Sequence, residues 1–417
     1  MLFRLLLILI LPVVCSFSPS FAQPCKGRPV IMVHGFLGAG DNYAPMAAAM
    51  QAKGYCSPYL QAFDWNTLDR GANEISHLDS LIQAVCKATG AAQVDLVAHS
   101  AGGGLAYRYL SDSSHRTRVA HYVHIGSQPM SAVAGGKLSV PMLNIYSKKD
   151  GVVKGADIPG ATNLAFANYD HFGLVTADST IQAIIQFFQE GKNIKNLKQK
   201  PQKEKSITLK ALQLGTNQPE ANASITWQLV DEKGTLLLPV GTGKTNAKGM
   251  INLDGIPSVK PYWITCTPEK GRPVAYYFNH IPKGPLPGYL HTLPSGGMVS
   301  LLLGGIPKSA ETAAWVLFSS QAAINPEKDF LKLNNDTLST AKLTPAAKTV
   351  VALFLYDNGK KQNSMETHPA FKQAPFMNGI DYLLPSNGSS ALLEWNKKMM
   401  KIPVVSSNKF ITIVVLD

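Results

Sequence analysis

Between Arg28 and Glu190 short apolar runs alternate with stretches of helical character, and beyond Glu190 the alternation stops. No other feature limits so tightly what this chain can fold into. Arg28-Pro-Val-Ile-Met-Val33 and Val94-Asp-Leu-Val-Ala98 hold too few polar residues for a strand with one wet face, so they read as strands buried on both sides in a parallel sheet. Residues 119–124 and 142–146 repeat the pattern, and helices are expected at 43–51, 72–87, 102–110 and 179–190. Such alternation predicts an α/β domain over 23–190, a mostly parallel sheet flanked by helices.

The next stretch, 191–205, carries six lysines and a single acidic residue, Glu204, around one proline, and reads as a basic, solvated linker. After it the pattern becomes one of alternating apolar and polar residues between turn signals: Ser224-Ile-Thr-Trp-Gln-Leu-Val230, 235–240, 250–253 and Tyr262-Trp-Ile-Thr-Cys266. That spacing predicts an all-β sandwich or barrel, and Val299-Ser-Leu-Leu-Leu303, 315–318, 350–355 and 410–415 continue the strand pattern to the end. A chain of 417 residues exceeds the roughly 250 to 300 that one core supports. Two accessory domains, 206–283 and 284–417, are expected to divide near Pro282 to Pro287, with a single unit as the alternative.

The first 22 residues are read as a signal peptide. Arg4 precedes an apolar run from Leu5 to Val14, and Ser20-Phe-Ala22 puts small residues where a signal peptidase cuts. Export to the periplasm or the medium follows, and leaves four cysteines, Cys25, Cys56, Cys86 and Cys266, in an oxidising compartment with three possible connectivities. Cys25 precedes the first strand and Cys56 opens the next. If those strands are parallel neighbours their starts lie side by side, so Cys25–Cys56 is the expected disulfide, and Cys86 is expected free within a helix.

The sharpest chemical signal is Ala98-His-Ser100-Ala-Gly102. A serine flanked by small residues two positions away, directly after an apolar strand and directly before a helix, fits a nucleophile elbow, where neighbours must pack against a strained turn. The oxyanion hole would take one backbone N–H from Ala101 and a second from Phe36, in the loop Val33-His-Gly-Phe36 that follows the first strand. Gly35 lets that backbone approach closely, and His34 is expected to orient the loop and not to act as the base. If the order is that of an α/β-hydrolase, the base is His171, in Tyr169-Asp-His-Phe-Gly173. The orienting acid is then Asp150, after the strand at 142–146, with Asp157 and Asp170 as rivals. Leu37, Val152, Val153 and Phe172 are apolar neighbours that could line an acyl pocket. No His or Cys spacing suits a metal and no glycine motif suits a phosphate, so no cofactor is expected.

Pro29-Val-Ile-Met-Val-His-Gly-Phe36, Val97-Ala-His-Ser-Ala-Gly102, Ile145-Tyr-Ser-Lys-Lys-Asp150 and Asp170-His-Phe-Gly-Leu174 together resemble the compact bacterial lipases of the α/β-hydrolase superfamily. The domain order resembles two-domain bacterial and archaeal lipases in which a C-terminal β domain helps engage lipid. The resemblance implies Ser100 as nucleophile, His171 as general base and acid, Asp150 as orienting acid, and the Phe36 and Ala101 amides as oxyanion hole. It implies a carboxylic-ester hydrolase acting on lipid or other acyl esters. Acyl transfer, polyester depolymerisation and non-catalytic surface binding are the other readings. The long helical insertion that such relatives can carry before the nucleophile strand is missing, which argues against a large lid.

The formal charge of +12 first suggests nucleic acid. Its distribution points elsewhere. Residues 1–190 hold 13 basic and 12 acidic groups, so the excess lies in the linker and the β region. A basic accessory half drawn to an anionic lipid surface is therefore expected, and no nucleic-acid partner.

Overall fold

The computed structural model describes residues 25–69, 73–190, 206–254, 260–281, 284–294, 296, 299–300 and 303–416. The expected signal peptide and linker lie outside the described residues. Six strands, β1 (Val30–Val33), β2 (Leu60–Phe63), β3 (Val94–His99), β4 (Val119–Ile125), β5 (Met142–Ser147) and β6 (Thr162–Phe166), form a parallel sheet in the order β2-β1-β3-β4-β5-β6. Helices α1 (Ala44–Ala52), α2 (Glu74–Thr89), α3 (Ala101–Ser111), α4 (Ser113–Arg116), α5 (Gly173–Thr176) and α6 (Asp178–Phe188) follow in chain order.

Strand β1 shows why its apolar run is unbroken. Val30 and Met32 pack with Met46, Met50 and Ile184 of α1 and α6 on one face, while Ile31 and Val33 pack with Leu78, Ile82 and Leu105 of α2 and α3 on the other. Successive side chains point to opposite faces, so a sheet covered on both sides needs apolar residues at every position. The helices need only one stripe. In α6 it is Ile181, Ile184, Ile185 and Phe188, spaced for a single helical face. Truncating a fully buried residue such as Ile31 to alanine would cost about 2–5 kcal/mol. At the start of the sheet Val30 pairs with Leu60 in parallel, and the Cys25–Cys56 disulfide joins the two entering segments with Cα atoms 5.3 Å apart. Cys86 and Cys266 are free thiols.

The remainder is β. Its strands are β7 (Ser206–Gln213), β8 (Ser224–Val230), β9 (Leu236–Lys244), β10 (Met250–Asp254), β11 (Tyr262–Thr267), β12 (Val274–Phe278), β13 (Gly288–Thr292), β14 (Trp315–Phe318), β15 (Leu331–Leu333), β16 (Asp336–Thr337), β17 (Ala352–Tyr356), β18 (Met377–Asp381), β19 (Ser390–Trp395), β20 (Lys398–Pro403) and β21 (Ile411–Val415). A central sheet runs β18-β17-β14-β21-β12-β11-β8-β9. Tyr262, Ile264, Tyr276, Phe354 and Ile413 on one face pack with Leu209 and Leu290 of a three-stranded sheet, β10-β7-β13. On the other face Trp263, Trp315, Leu353 and Val414 pack with Leu333, Leu393 and Ile402 of the sheet β16-β15-β19-β20.

Two expectations need correction. A division near Pro282 to Pro287 does not separate the sheets, because β13 pairs in parallel with β7 and β21 sits between β12 and β14. The strands expected in two accessory domains are interleaved in shared sheets. Nor is 299–303 a strand: Val299, Ser300 and Leu303 are helical. Val299 and Leu303 are four residues apart, which places both on one helix face, and both are buried in the core against the central sheet.

Candidate active site

Ser100 occupies the junction between β3 and α3 with φ 53° and ψ −123°, a region a residue with a Cβ seldom enters, at a cost of about 1–3 kcal/mol. Three bonds hold the turn: the Ser100 N–H donates to Ile125 O (3.0 Å), and Ser100 O accepts from Ser127 Oγ (2.6 Å) and the Gly103 N–H (2.9 Å). The flanking glycines act by absence. A Cβ on Gly102 would stand 2.5 Å from the carbonyl oxygens of Val33 and His34, and one on Gly35 would stand 2.8 Å from Ser100 Cβ. Either would push the loop after β1 away from the serine.

His171 and Asp150 stand at the ends of other loops from the same sheet edge. His171 Nδ1 lies 2.8 Å from Asp150 Oδ2, and each side chain is only 1% exposed. The second carboxylate oxygen, Asp150 Oδ1, accepts from the Val152 and Val153 N–H groups at 2.8 and 3.0 Å. A carboxylate pinned in this way accepts the Nδ1 proton and leaves Nε2 as the basic nitrogen. Of the rival acids, Asp170 Oδ1 caps the turn through the Phe172 and Gly173 N–H groups, both at 3.0 Å. Asp157 accepts from Tyr146 OH.

His99, which the sequence reading left without a role, braces the pair. Its Nε2 donates to His171 O at 3.0 Å and its ring lies 4.5 Å from the His171 ring, centre to centre. Burial, followed by the neighbouring His171, pushes its pKa well below 6.5, so the ring is neutral. Its position in the chain beside Ser100 was the only available signal.

The loop after β1 is locked by His34. With Nδ1 donating to Gly35 O at 2.8 Å, Nε2 accepts from the Trp65 N–H and from Asn217 Nδ2, each at 3.1 Å. Burial lowers its pKa, which suits a neutral ring that accepts at Nε2. Trp65 Nε1 donates to His34 O at 2.9 Å, and Thr67 Oγ1 accepts from the Leu37 N–H at 3.0 Å. Asn217 belongs to the β region. Its Nδ2 also lies 2.9 Å from Gly38 O and 3.0 Å from Trp65 O. No local pattern in the sequence marked it.

Further bonds fasten the two halves around the site. Asp64 accepts from the Gly40 N–H, Lys210 Nζ (2.6 Å) and Tyr289 OH (3.1 Å), and Asn42 Nδ2 donates to Ser320 O (2.8 Å). Between the halves lies a narrow apolar cavity of about 70 Å³. Phe36, Leu37 and Phe172 line it from the hydrolase side, and Val351, Phe354 and Phe376 from the β side. Phe376 stacks parallel to His171 at 6.2 Å and meets Phe172 edge-on at 5.2 Å. Of the four residues expected to form an acyl pocket, Leu37 and Phe172 line this cavity. Val152 and Val153 do not; their backbone amides are engaged with Asp150. A second, half-polar cleft on the other side of Phe36 runs past Ala101.

A parallel sheet with helices on both faces is the α/β-hydrolase architecture, and here it carries a strained serine at a strand–helix turn and a buried His–carboxylate pair. Residues 27–158 match the family model of lipases of class 2, and a C-terminal domain model matches 317–399. Among solved structures the chain is similar to the lipase BlEst2 of Bacillus licheniformis, at 16% identity over 40% of this chain and 94% of that one, with a TM-score of 0.33. A thermophilic esterase from Thermogutta terrifontis is similar at 13% identity over 40% of this chain and 92% of that one, with a TM-score of 0.32.

Proposed function

We propose that the protein is an exported serine carboxylic-ester hydrolase in which Ser100, His171 and Asp150 form the triad and the β region helps to engage acyl substrate. The observation that carries this reading is Ser100 strained on its turn, with the His171–Asp150 pair packed against the adjacent His99. Ser100 Oγ attacks the ester carbonyl as His171 Nε2 takes its proton. The tetrahedral oxyanion rests on the Phe36 and Ala101 N–H groups. His171 then protonates the departing alcohol, and water activated by the same nitrogen releases the acid. Asp150 keeps the imidazole in the required tautomer and stabilises the imidazolium.

The acyl chain enters the apolar cavity beside Phe36. An alkyl chain leaving water for that lining is favoured by about 0.8 kcal/mol per methylene, so longer acyl groups are preferred until the cavity is filled. Two features support contact with a lipid surface. On β9, at the rim of the central sheet, Leu238 is 89% exposed beside the exposed Leu237 and Val240. The lysines of 191–205 add a positive charge that anionic headgroups attract.

The test is hydrolysis of p-nitrophenyl esters of rising chain length by the wild type and by Ser100→Ala. Activity that rises with chain length and disappears in the variant is expected; equal release by both proteins would overturn the assignment.

A further inference from the structure

An ester held at Ser100 has two limbs, and the site offers two unlike compartments divided by Phe36, which lines both. The first is the apolar interdomain cavity. The second runs along α3, where Ala101, Leu105 and Arg108, spaced by four and three residues, share one side of the helix. Trp65, Asp69, Asn73 and Glu74 line the same cleft, whose volume is about 510 Å³. The lining is half polar, in contrast to the apolar cavity. Arg108 and Asn73 are exposed, and Arg108 forms no ion pair among the described residues. Trp65 is already committed through its indole N–H to His34 O, which leaves its ring as a fixed wall.

Resting on the triad assignment, we infer that this cleft binds the alcohol limb and selects a polyhydroxylated alcohol bearing one acyl chain, such as a glycerol or sugar monoester, over a fully acylated glycerol. The selection has a physical cause. A second acyl chain laid along α3 would strip water from the Arg108 guanidinium and the Asn73 amide with nothing to replace it, and a buried polar group left unpaired is costly. Hydroxyl groups accept from Arg108 and both donate to and accept from Asn73, and a carbohydrate or glycerol face packs on the aromatic wall. Leaving-group choice and acyl choice are thereby set by different compartments.

The experiment compares three soluble butyrates with the full mature chain: monobutyrylglycerol, tributyrylglycerol and ethyl butyrate, each kcat/KM taken per ester bond and divided by the alkaline hydrolysis rate of that ester. Monobutyrylglycerol is expected to lead both others by roughly tenfold, and Arg108→Leu, an exposed site on a helix, to shrink that lead to about threefold or less. Equal values for the three esters in the wild type overturn the inference, as does a lead that Arg108→Leu and Asn73→Ala leave intact. Ser100→Ala separates the two levels. If it abolishes all three hydrolyses while the wild type shows no alcohol preference, the triad stands and the cleft assignment falls. If it abolishes none, both fall.

Discussion

Replacing Asn217 tests whether the β region is part of the catalytic apparatus or merely attached to it. Its amide reaches His34 Nε2 and Gly38 O, which flank the proposed oxyanion donor Phe36, and Trp65 O on the loop after β2, all within 3.1 Å. The residue also sits at φ 54°, where asparagine and glycine are tolerated and alanine is strained. Asn217→Gly therefore removes the amide without adding backbone strain. Gly38 O and Trp65 O then lose a buried donor, at about 1–3 kcal/mol each where water cannot enter. With the usual lack of additivity, a total near 3 kcal/mol corresponds to a fall in Tm of about 6–12 °C for a unit of this size. His34 keeps the Trp65 N–H, so the loop loosens without collapsing. Loss of a whole oxyanion donor costs about 10²–10³ in turnover, and that range is the ceiling for the variant. The expected result on p-nitrophenyl acetate is a fall in kcat of about tenfold with KM little changed, because the loop acts on the oxyanion and not on the bound ester. Stopped assays below the variant's Tm, beside thermal unfolding, read both effects. A variant with wild-type kcat would refute the idea that the β region braces the oxyanion loop, whatever its Tm.

Asp150→Asn should lower kcat by about 10⁴ with little loss of stability: the Val152 and Val153 amides hold the oxygen of the new side chain, so its NH₂ faces His171 Nδ1 and forces the proton onto Nε2. Steady-state rates on one soluble ester settle this; a loss under tenfold would mean another carboxylate serves. Val351→Phe fills the cavity wall beside Phe172 and Phe376, so kcat/KM for a laurate ester should fall at least tenfold relative to acetate, with about 1–3 kcal/mol of overpacking cost. An unchanged chain-length profile would place the acyl limb elsewhere. Leu238→Asp should lower binding to anionic vesicles and the ratio of emulsified to soluble ester hydrolysis; vesicle binding that ignored the substitution, lipid charge and salt would remove β9 and the linker from lipid contact. Stability should decline in mild acid. His34, His99 and His124 are buried and neutral with pKa values pulled below 6.5, His124 to about 4. The unfolded chain binds protons there that the folded chain refuses, so the full contribution is present above about pH 6.5 and is lost as pH falls toward the folded values. His124 alone accounts for about 3 kcal/mol between those limits. Urea unfolding that gave equal stability at pH 7.5 and 4.5 would contradict this.

What was legible in the sequence follows from what acts locally. The run Val94 to Ala98 must be a doubly buried strand, Ser100 must sit where that strand turns into a helix, and the small residues at 98 and 102 are needed at the turn itself; all of this lies within nine residues. The pairing of His171 with Asp150 was legible through the chain order Ser, Asp, His that an α/β-hydrolase implies, and the two side chains do meet at 2.8 Å. Val152 and Val153 misled because apolar side chains suggest a lining, whereas their contribution is two backbone N–H groups, which every residue but proline carries. Asn217 had no signal at all: it meets His34 across 183 residues of chain, in a turn indistinguishable from any other. The same holds for β21, whose place between β12 and β14 is a matter of parallel pairing with distant partners. The apolar cavity arises only where β17 presents Phe354, and the residues just before β17 and β18 present Val351 and Phe376, to Phe36 and Phe172. The proposed bond-making groups were thus readable because each is fixed by its own strand and loop. The residues that line the cavity come from the pairing of the two halves, so on the proposed reading selectivity changes through substitutions in the β region while Ser100, His171 and Asp150 stay as they are.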